Sequence, residues 1–344
     1  DLVMQGVVDG VAADASLGTI EMAGPDDTAV VIGTISVNRL DLGGILGFYG
    51  FGPEPRGTQM KPLYENFQLL GATVRSPQFT CEIGPADAER FSARPIQGSF
   101  DELATLSSEP EKSERTGEPP PPETLSRFVT FYADFLTAFE STPTAIAGIS
   151  CRGEDGKRMV RTTVENMSVG GFLPGVYPAI GIENFRLEAD DGWFAFDSFE
   201  WKAMDLNGPI AALLAAKDQL TEAWFEQNWR KVIPAIEGFS LSGLSFDVPE
   251  PSRPGNRSRL SIGAMDLALS DYVDGIPATV AASGEGILVE LPDDAEGRML
   301  SHLGFERLDL GYDLAARWNE AEQEIVVDRL TLTGERMGAL SFGG

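Results

Sequence analysis

Apolar and polar positions alternate along most of this 344-residue chain, and the alternation comes in recurring units. Ala29-Val30-Val31-Ile32-Gly33-Thr34-Ile35-Ser36-Val37 is rich in β-branched residues, which fit a pleated, half-buried surface. Tyr64-Glu65-Asn66-Phe67-Gln68-Leu69-Leu70-Gly71, followed by Pro77, is written again as Ile236-Glu237-Gly238-Phe239-Ser240-Leu241-Ser242-Gly243, followed by Pro249. Ile182-Glu183-Asn184-Phe185-Arg186-Leu187 is a partial third copy. Each copy has period two, so the repeated unit is a predicted strand. Asp190-Asp191-Gly192 reads as a hairpin turn. It leads into Trp193–Trp201, where strict alternation would put Trp193, Ala195, Asp197, Phe199 and Trp201 on one face.

Two stretches carry a different period. Leu125, Phe128, Val129, Tyr132, Phe135, Leu136 and Phe139 recur at three- and four-residue spacing, which predicts an amphipathic helix over 123–141, closed by Pro143. Gly208-Pro209 opens a second, over 209–234, with Ile210, Leu213, Leu214, Leu220, Trp224 and Phe225 on its apolar side. A short helix is expected over 294–304. The glycine-rich run from Leu42 to Gly52 has neither period. It is expected to be a buried irregular connection or an exposed apolar loop.

These elements predict an α+β, β-rich fold. Repeated antiparallel strand units form a curved, elongated sheet, and the two amphipathic helices pack on it. Residues 1–106 form an N-terminal β-rich segment and 123–344 a β-rich repeat region. Between them, 107–122 is charged, poor in apolar residues and ends in Pro119-Pro120-Pro121-Pro122, so it is a predicted solvated linker or loop. Two packed halves divided at that segment are the alternative.

Composition narrows the functional classes. The 53 acidic and 26 basic side chains give a net charge of −27, and no Lys/Arg cluster is visible, which argues against nucleic-acid partners. No run approaches 18 apolar residues, so no transmembrane helix is expected. The chain opens at Asp1 without a Met, and both ends read as cuts within, or processing of, a longer product. Cys81 and Cys151, the only cysteines, either pair as a disulfide or remain as buried free thiols.

Candidate chemistry is sparse. His302 is the single histidine, beside a predicted helix end, and no Gly-x-Ser-x-Gly elbow accompanies it. Phosphate-cradling loops are missing from the sequence. Asp26-Asp27, Asp190-Asp191 and Asp293-Asp294 lie beside Gly or Pro and read as turns, without calcium-loop spacing. No catalytic residue, metal or cofactor is therefore expected. The residues expected to contact a ligand or partner are Leu46, Phe48, Tyr49 and Phe51 in the glycine-rich run, with Trp193, Phe199 and Trp201 on a strand. The competing reading is that such aromatic stripes simply pack the core.

Repeated alternating strands such as Glu65-Asn66-Phe67-Gln68-Leu69 and Glu183-Asn184-Phe185-Arg186-Leu187, with few catalytic candidates beside them, give the chain a pattern that resembles bacterial envelope proteins of the AsmA-like kind. The resemblance implies long β-grooves associated with lipid handling between membranes. The expected function is that of a non-enzymatic extracytoplasmic scaffold, adaptor or binder of a lipid-like ligand in the periplasm or cell envelope. The alternatives are a subunit docking on a protein partner through 42–52 or the helix at 123–141, and a carboxylate-based hydrolase.

Overall fold

In the computed structural model, residues 1–51, 57–101, 103, 122–156, 158–250, 255–291 and 295–343 are described. The alternating segments form a 20-stranded sheet in which every pairing is antiparallel and most partners are neighbours in sequence. Its first half is built from strands made in two pieces. These are β2 (Val11–Leu17) with β3 (Ile20–Ala23), β4 (Ala29–Ile32) with β5 (Ile35–Asp41), β6 (Lys61–Leu69) with β7 (Ala72–Arg75), and β8 (Phe79–Ile83) with β9 (Ala86–Ala93). The short β1 (Leu2–Gln5) borders β2. The long β11 (Thr144–Asp155) pairs with β9 through Thr144–Ile146 and with β8 through Ile149–Gly153.

From β11 onward the sheet continues without interruption. It runs through β12 (Arg158–Val169), β14 (Ile180–Ala189), β15 (Gly192–Trp201), β18 (Gly238–Pro249), β19 (Arg257–Val273), β20 (Ile276–Glu290), β21 (Arg307–Asn319), β22 (Glu324–Gly334) and β23 (Gly338–Phe342). A three-stranded ribbon of β13 (Val176–Tyr177), β16 (Met204–Asp205) and β17 (Ala235–Ile236) stands apart. Among the described residues no helix is long and apolar enough to cross a membrane. Of the predicted linker only Pro122 is described, and Asp293-Asp294 also lies outside the described residues.

The helices differ from expectation in three places. Leu42–Phe48 is an α-helix, α1, where no regular element was expected. Asp41 caps it by accepting from the Gly44 amide at 2.8 Å, which satisfies a donor the first turn leaves free. Its three glycines hide the helical period. Gly44 is needed, because a Cβ there would lie 2.5 Å from Leu63. The helix expected over 123–141 is α2, Pro122–Leu136. Its last carbonyl accepts from Gly175, and Phe139 starts a strand, β10 (Phe139–Ser141), paired with β9. The helix expected over 209–234 is broken into α3 (Asn207–Ala216), α4 (Glu222–Asn228) and two 3-10 turns, Lys217–Gln219 and Trp229–Val232. The break falls at Leu220, which is extended, and Thr221 caps α4 by accepting from the Trp224 amide. The short helix expected over 294–304 is α5, Ala295–His302.

The closed core sits where the helices meet the first half of the sheet. Phe48, Leu63, Ala93, Ile96, Phe131 and Ala138 are buried together, with Tyr64, Phe91, Phe135 and Phe139 packed around them. Burial, and then the nearby Tyr49, raise the Tyr64 phenol above its ordinary pKa. On its other side α2 meets α3 and α4 through Val129, Ala216, Leu220 and Trp224. Asp134 locks α2 down: it pairs with Arg94 at 2.7 Å, and both side chains are only 16% exposed. It also accepts from the Gln97 amide at 2.6 Å.

A seam of irregular positions crosses the sheet. Gly33 donates to Gly71 O, and Gly84 donates to Gly148 O. Register then places Gly148 opposite Glu165, Glu165 opposite Asn184, Asn184 opposite Asp197, Asp197 opposite Gly243, Gly243 opposite Gly263 and Gly263 opposite Gly286. Positive φ occurs on alternate strands of this seam, at Gly71, Gly148, Asn184, Gly243 and Gly286. A left-handed residue inside a strand bends it and resets its side-chain alternation. The sequence repeat marks such positions. The residue after its Glu is left-handed in all three copies, with φ of +49° at Asn66, +51° at Asn184 and +120° at Gly238.

Candidate functional site, an open apolar sheet face

The register stacks apolar side chains into rows. One row reads Val30, Val74, Cys81, Cys151, Thr162, Leu187, Phe194, Phe246, Leu260, Val289, Leu308 from β4 to β21. A second, across the seam, reads Ile146, Met167, Ile182, Phe199, Leu241, Met265, Gly284, Tyr312, Leu332, Leu340. The Tyr312 ring fills the gap over Gly284, where a Cβ would lie 2.4 Å from it. A third row contains Val169, Ile180, Trp201, Phe239, Leu267, Ala282, Leu314, Leu330 and Phe342. Ring contacts between Phe194 and Phe196 (6.1 Å), Phe196 and Phe199 (6.2 Å), and Phe199 and Phe239 (6.5 Å) join the three rows on one face. At strand spacing, the second row is roughly 45 Å long.

The opposite face is polar. Ser168, Glu200, Ser240, Asp266, Ser283, Asp313, Thr331 and Ser341 lie along one row with Gly181 between the first two. Another carries Arg161, Glu188, Trp193, Asp247 and Arg259, then Glu290 and Arg307. Burial would raise the Asp247 carboxyl, but Arg257 and Arg259 outweigh it by hydrogen bonds and charge. The carboxyl therefore titrates below its ordinary range. Arg259 lies 3.0 Å from Asp247 and 3.3 Å from Glu290, and both carboxylates raise its pKa.

The apolar face is not closed. No apolar side chain on β12–β23 belongs to the buried core, and Leu332, Leu340 and Phe342 are exposed outright. The chain presents 20886 Å² of accessible surface, whereas a compact monomer of 37.0 kDa presents about 13,600 Å². Allowing the residues outside the description about 160 Å² each, the value of an extended chain, still leaves an excess of roughly 2,000 Å².

The expected contact residues separate in this frame. Phe199 and Trp201 lie on the apolar face. Trp193 does not, because alternation is reset at the seam; it lies on the polar face with the Arg186 guanidinium 5.1 Å above its ring. Phe48 is part of the closed core, whereas Leu46, Tyr49 and Phe51 are 54%, 44% and 62% exposed at the end of α1. Cys81 and Cys151 face each other in register and are joined as a disulfide. Asp26 and Asp27 are left-handed turn residues, and Asp190 and Asp191 form the β14–β15 turn. His302 ends α5, with Nδ1 2.7 Å from Arg298 O. Among the described residues no three metal-ligating side chains come together.

The residues missed from sequence are those between the singled-out aromatics, such as Leu241 and Met265. Their signal was apolar spacing of three within a strand, as in Ile182/Phe185, Leu241/Leu244 and Ile262/Met265. That spacing marks where a strand changes phase without changing its apolar face. Compared with known proteins, the chain matches no family model, no curated protein and no solved structure.

Proposed function

We propose that this chain is a non-enzymatic carrier or scaffold that holds apolar, lipid-like chains along the open face of its sheet. The observation that carries the reading is the set of three apolar rows, each crossing nine or more strands, backed by a charged face and covered by no element of the described chain. Exposed apolar surface of this extent on a folded protein marks a place where another apolar body binds. An acyl chain suits it better than a folded partner, because the rows present no charged group for a protein to meet. An extracytoplasmic setting, as the resemblance to AsmA-like envelope proteins implies, is where a bond such as Cys81–Cys151 forms and persists.

The test is native mass spectrometry and solvent extraction of the purified chain, followed by titration with a fluorescent polyene fatty acid. A co-purifying lipid-like mass, or saturable uptake lost in a Phe199→Asp/Leu241→Asp double variant that keeps its circular dichroism, is expected. A clean apo mass with no uptake of the probe would overturn the reading.

A further inference from the structure

The open face ends, at the tips of the β19–β20 and β21–β22 hairpins, in a cavity of about 620 Å³. Val273, Ile276, Val280, Trp318 and Ile325 line it, and four of them are exposed: Val273 43%, Ile276 44%, Trp318 40% and Ile325 72%. Val280 stands opposite Leu269 and Ala316 in register, two positions along from the row through Leu267, Ala282 and Leu314, so the cavity continues the apolar face.

The tip is fixed in place. Tyr272 donates to Ile236 O at 2.7 Å and accepts from Ile236 N at 3.0 Å. Gly275, at φ +76°, lies so close to the Arg230 carbonyl that a Cβ there would come within 1.9 Å. This contact brings Arg230 to the rim. Its guanidinium lies 5.4 Å from the Trp229 ring and has no carboxylate partner among the described residues. Arg317, also at the mouth, is tied to Asp328 at 3.2 Å. Asp274 and Glu320 complete the rim, and neither makes an ion pair among the described residues.

We propose that this cavity is the head-group site of a zwitterionic amphiphile. The inference rests on the acyl-chain reading of the open face and adds the chemistry of the head. A phosphate meets Arg230, which suits the fork geometry of a guanidinium. A quaternary or primary ammonium meets Asp274 and Glu320, with the Trp318 ring beside it. The charge pattern decides against the other heads. A singly anionic head has one arginine and faces two carboxylates, a cationic head leaves Arg230 unmatched, and a neutral head uses none of the three.

Isothermal titration of the purified full chain with four C12 amphiphiles, each below its micelle concentration, tests this. The four are dodecylphosphocholine, dodecyl sulfate, dodecyltrimethylammonium and dodecyl maltoside. Dodecylphosphocholine is expected to bind about a hundredfold tighter than the maltoside, about tenfold for each of its two charge-assisted contacts. Arg230→Gln removes about tenfold of this and leaves the maltoside within about twofold, and Asp274→Asn/Glu320→Gln does the same. These side chains are exposed, so both variants keep the fold, with circular dichroism as the check. Equal affinity for all heads, or an unchanged preference in Arg230→Gln, overturns the head-group site while leaving the acyl-chain reading standing. No binding of any of the four, the maltoside included, overturns both.

Discussion

The aromatic cluster beneath α2 and the open face of β12–β23 are made from the same residue types, yet only the first is a core. Leu63 is enclosed with Phe48 of α1 and Phe131 of α2 because these helices lie across the sheet there, and Arg94–Asp134 holds α2 down. Phe199, Leu241 and Met265 have equivalent neighbours within the sheet and nothing laid over them. Apolar content therefore does not distinguish an enclosed surface from an open one. Coverage does. The most direct way to break the comparison is to truncate one side chain from each region and measure stability by denaturant titration. Phe131→Ala is expected to cost about 3–5 kcal/mol, the range for an enclosed aromatic. Leu241→Ala is expected to cost less, about 2 kcal/mol, because its side chain is only partly buried. Similar losses at the two positions would mean that the face is closed in solution.

Much of this was legible in the sequence, and the failures share a cause. The period-two runs gave the strands, the Asp190-Asp191-Gly192 hairpin and the β-rich architecture, because alternation is what a one-sided sheet requires. Strict alternation failed at the seam, where the left-handed Asn184 and its opposite Asp197 reset the count between Trp193 and Phe199. The repeated Glu followed by Asn or Gly was the visible trace of left-handed strand positions, of which Asn184 lies on the seam. Helix α1 was hidden because Gly43, Gly44 and Gly47 dilute its period, although Asp41 three residues before Gly44 was a readable cap. The 209–234 helix was over-extended because Leu220 fits the apolar stripe while Thr221 starts a new helix. What covers the open face was not legible at all, since local patterning says which side is apolar and nothing about what binds there.

The seam runs through both regions, so it can sharpen the contrast between them. Next to the enclosed region, a Cβ on Gly84 would lie 1.7 Å from the Ala147 carbonyl oxygen, which belongs to a paired backbone that cannot yield. In the open region, a Cβ on Gly243 would meet the Asp197 carboxylate at 2.1 Å, a side chain with solvent to turn into. Gly84→Ala is therefore expected to cost about 3 kcal/mol, the upper end for overpacking. Gly243→Ala is expected to cost about 1–2 kcal/mol, mostly backbone strain at its φ of +63°. Adding Asp197→Ala should relieve the steric part of the second and leave the first unchanged. Thermal unfolding of the three variants checks the order, and a larger loss at Gly243 than at Gly84 would contradict it.

The smallest expected effect concerns the polar side of the open sheet, where charge rather than enclosure keeps one face in water. Asp247 is held by Arg257 and Arg259, and its carboxyl titrates below the ordinary value in the folded chain. For a carboxylate with a lowered folded pKa, the linked stability is present above the unfolded pKa and is lost as pH falls through the folded one. Acidification through the range below about pH 4 should therefore weaken this row. The pairs are solvent-exposed and screened, so the change in stability should be slight, and high salt should reduce it further. A carboxyl titration by NMR provides the sharper readout. Arg259→Gln should move the Asp247 midpoint up toward the ordinary carboxylate range, and Arg257→Gln should do the same. An unmoved midpoint in both variants would show that the arginines do not hold Asp247.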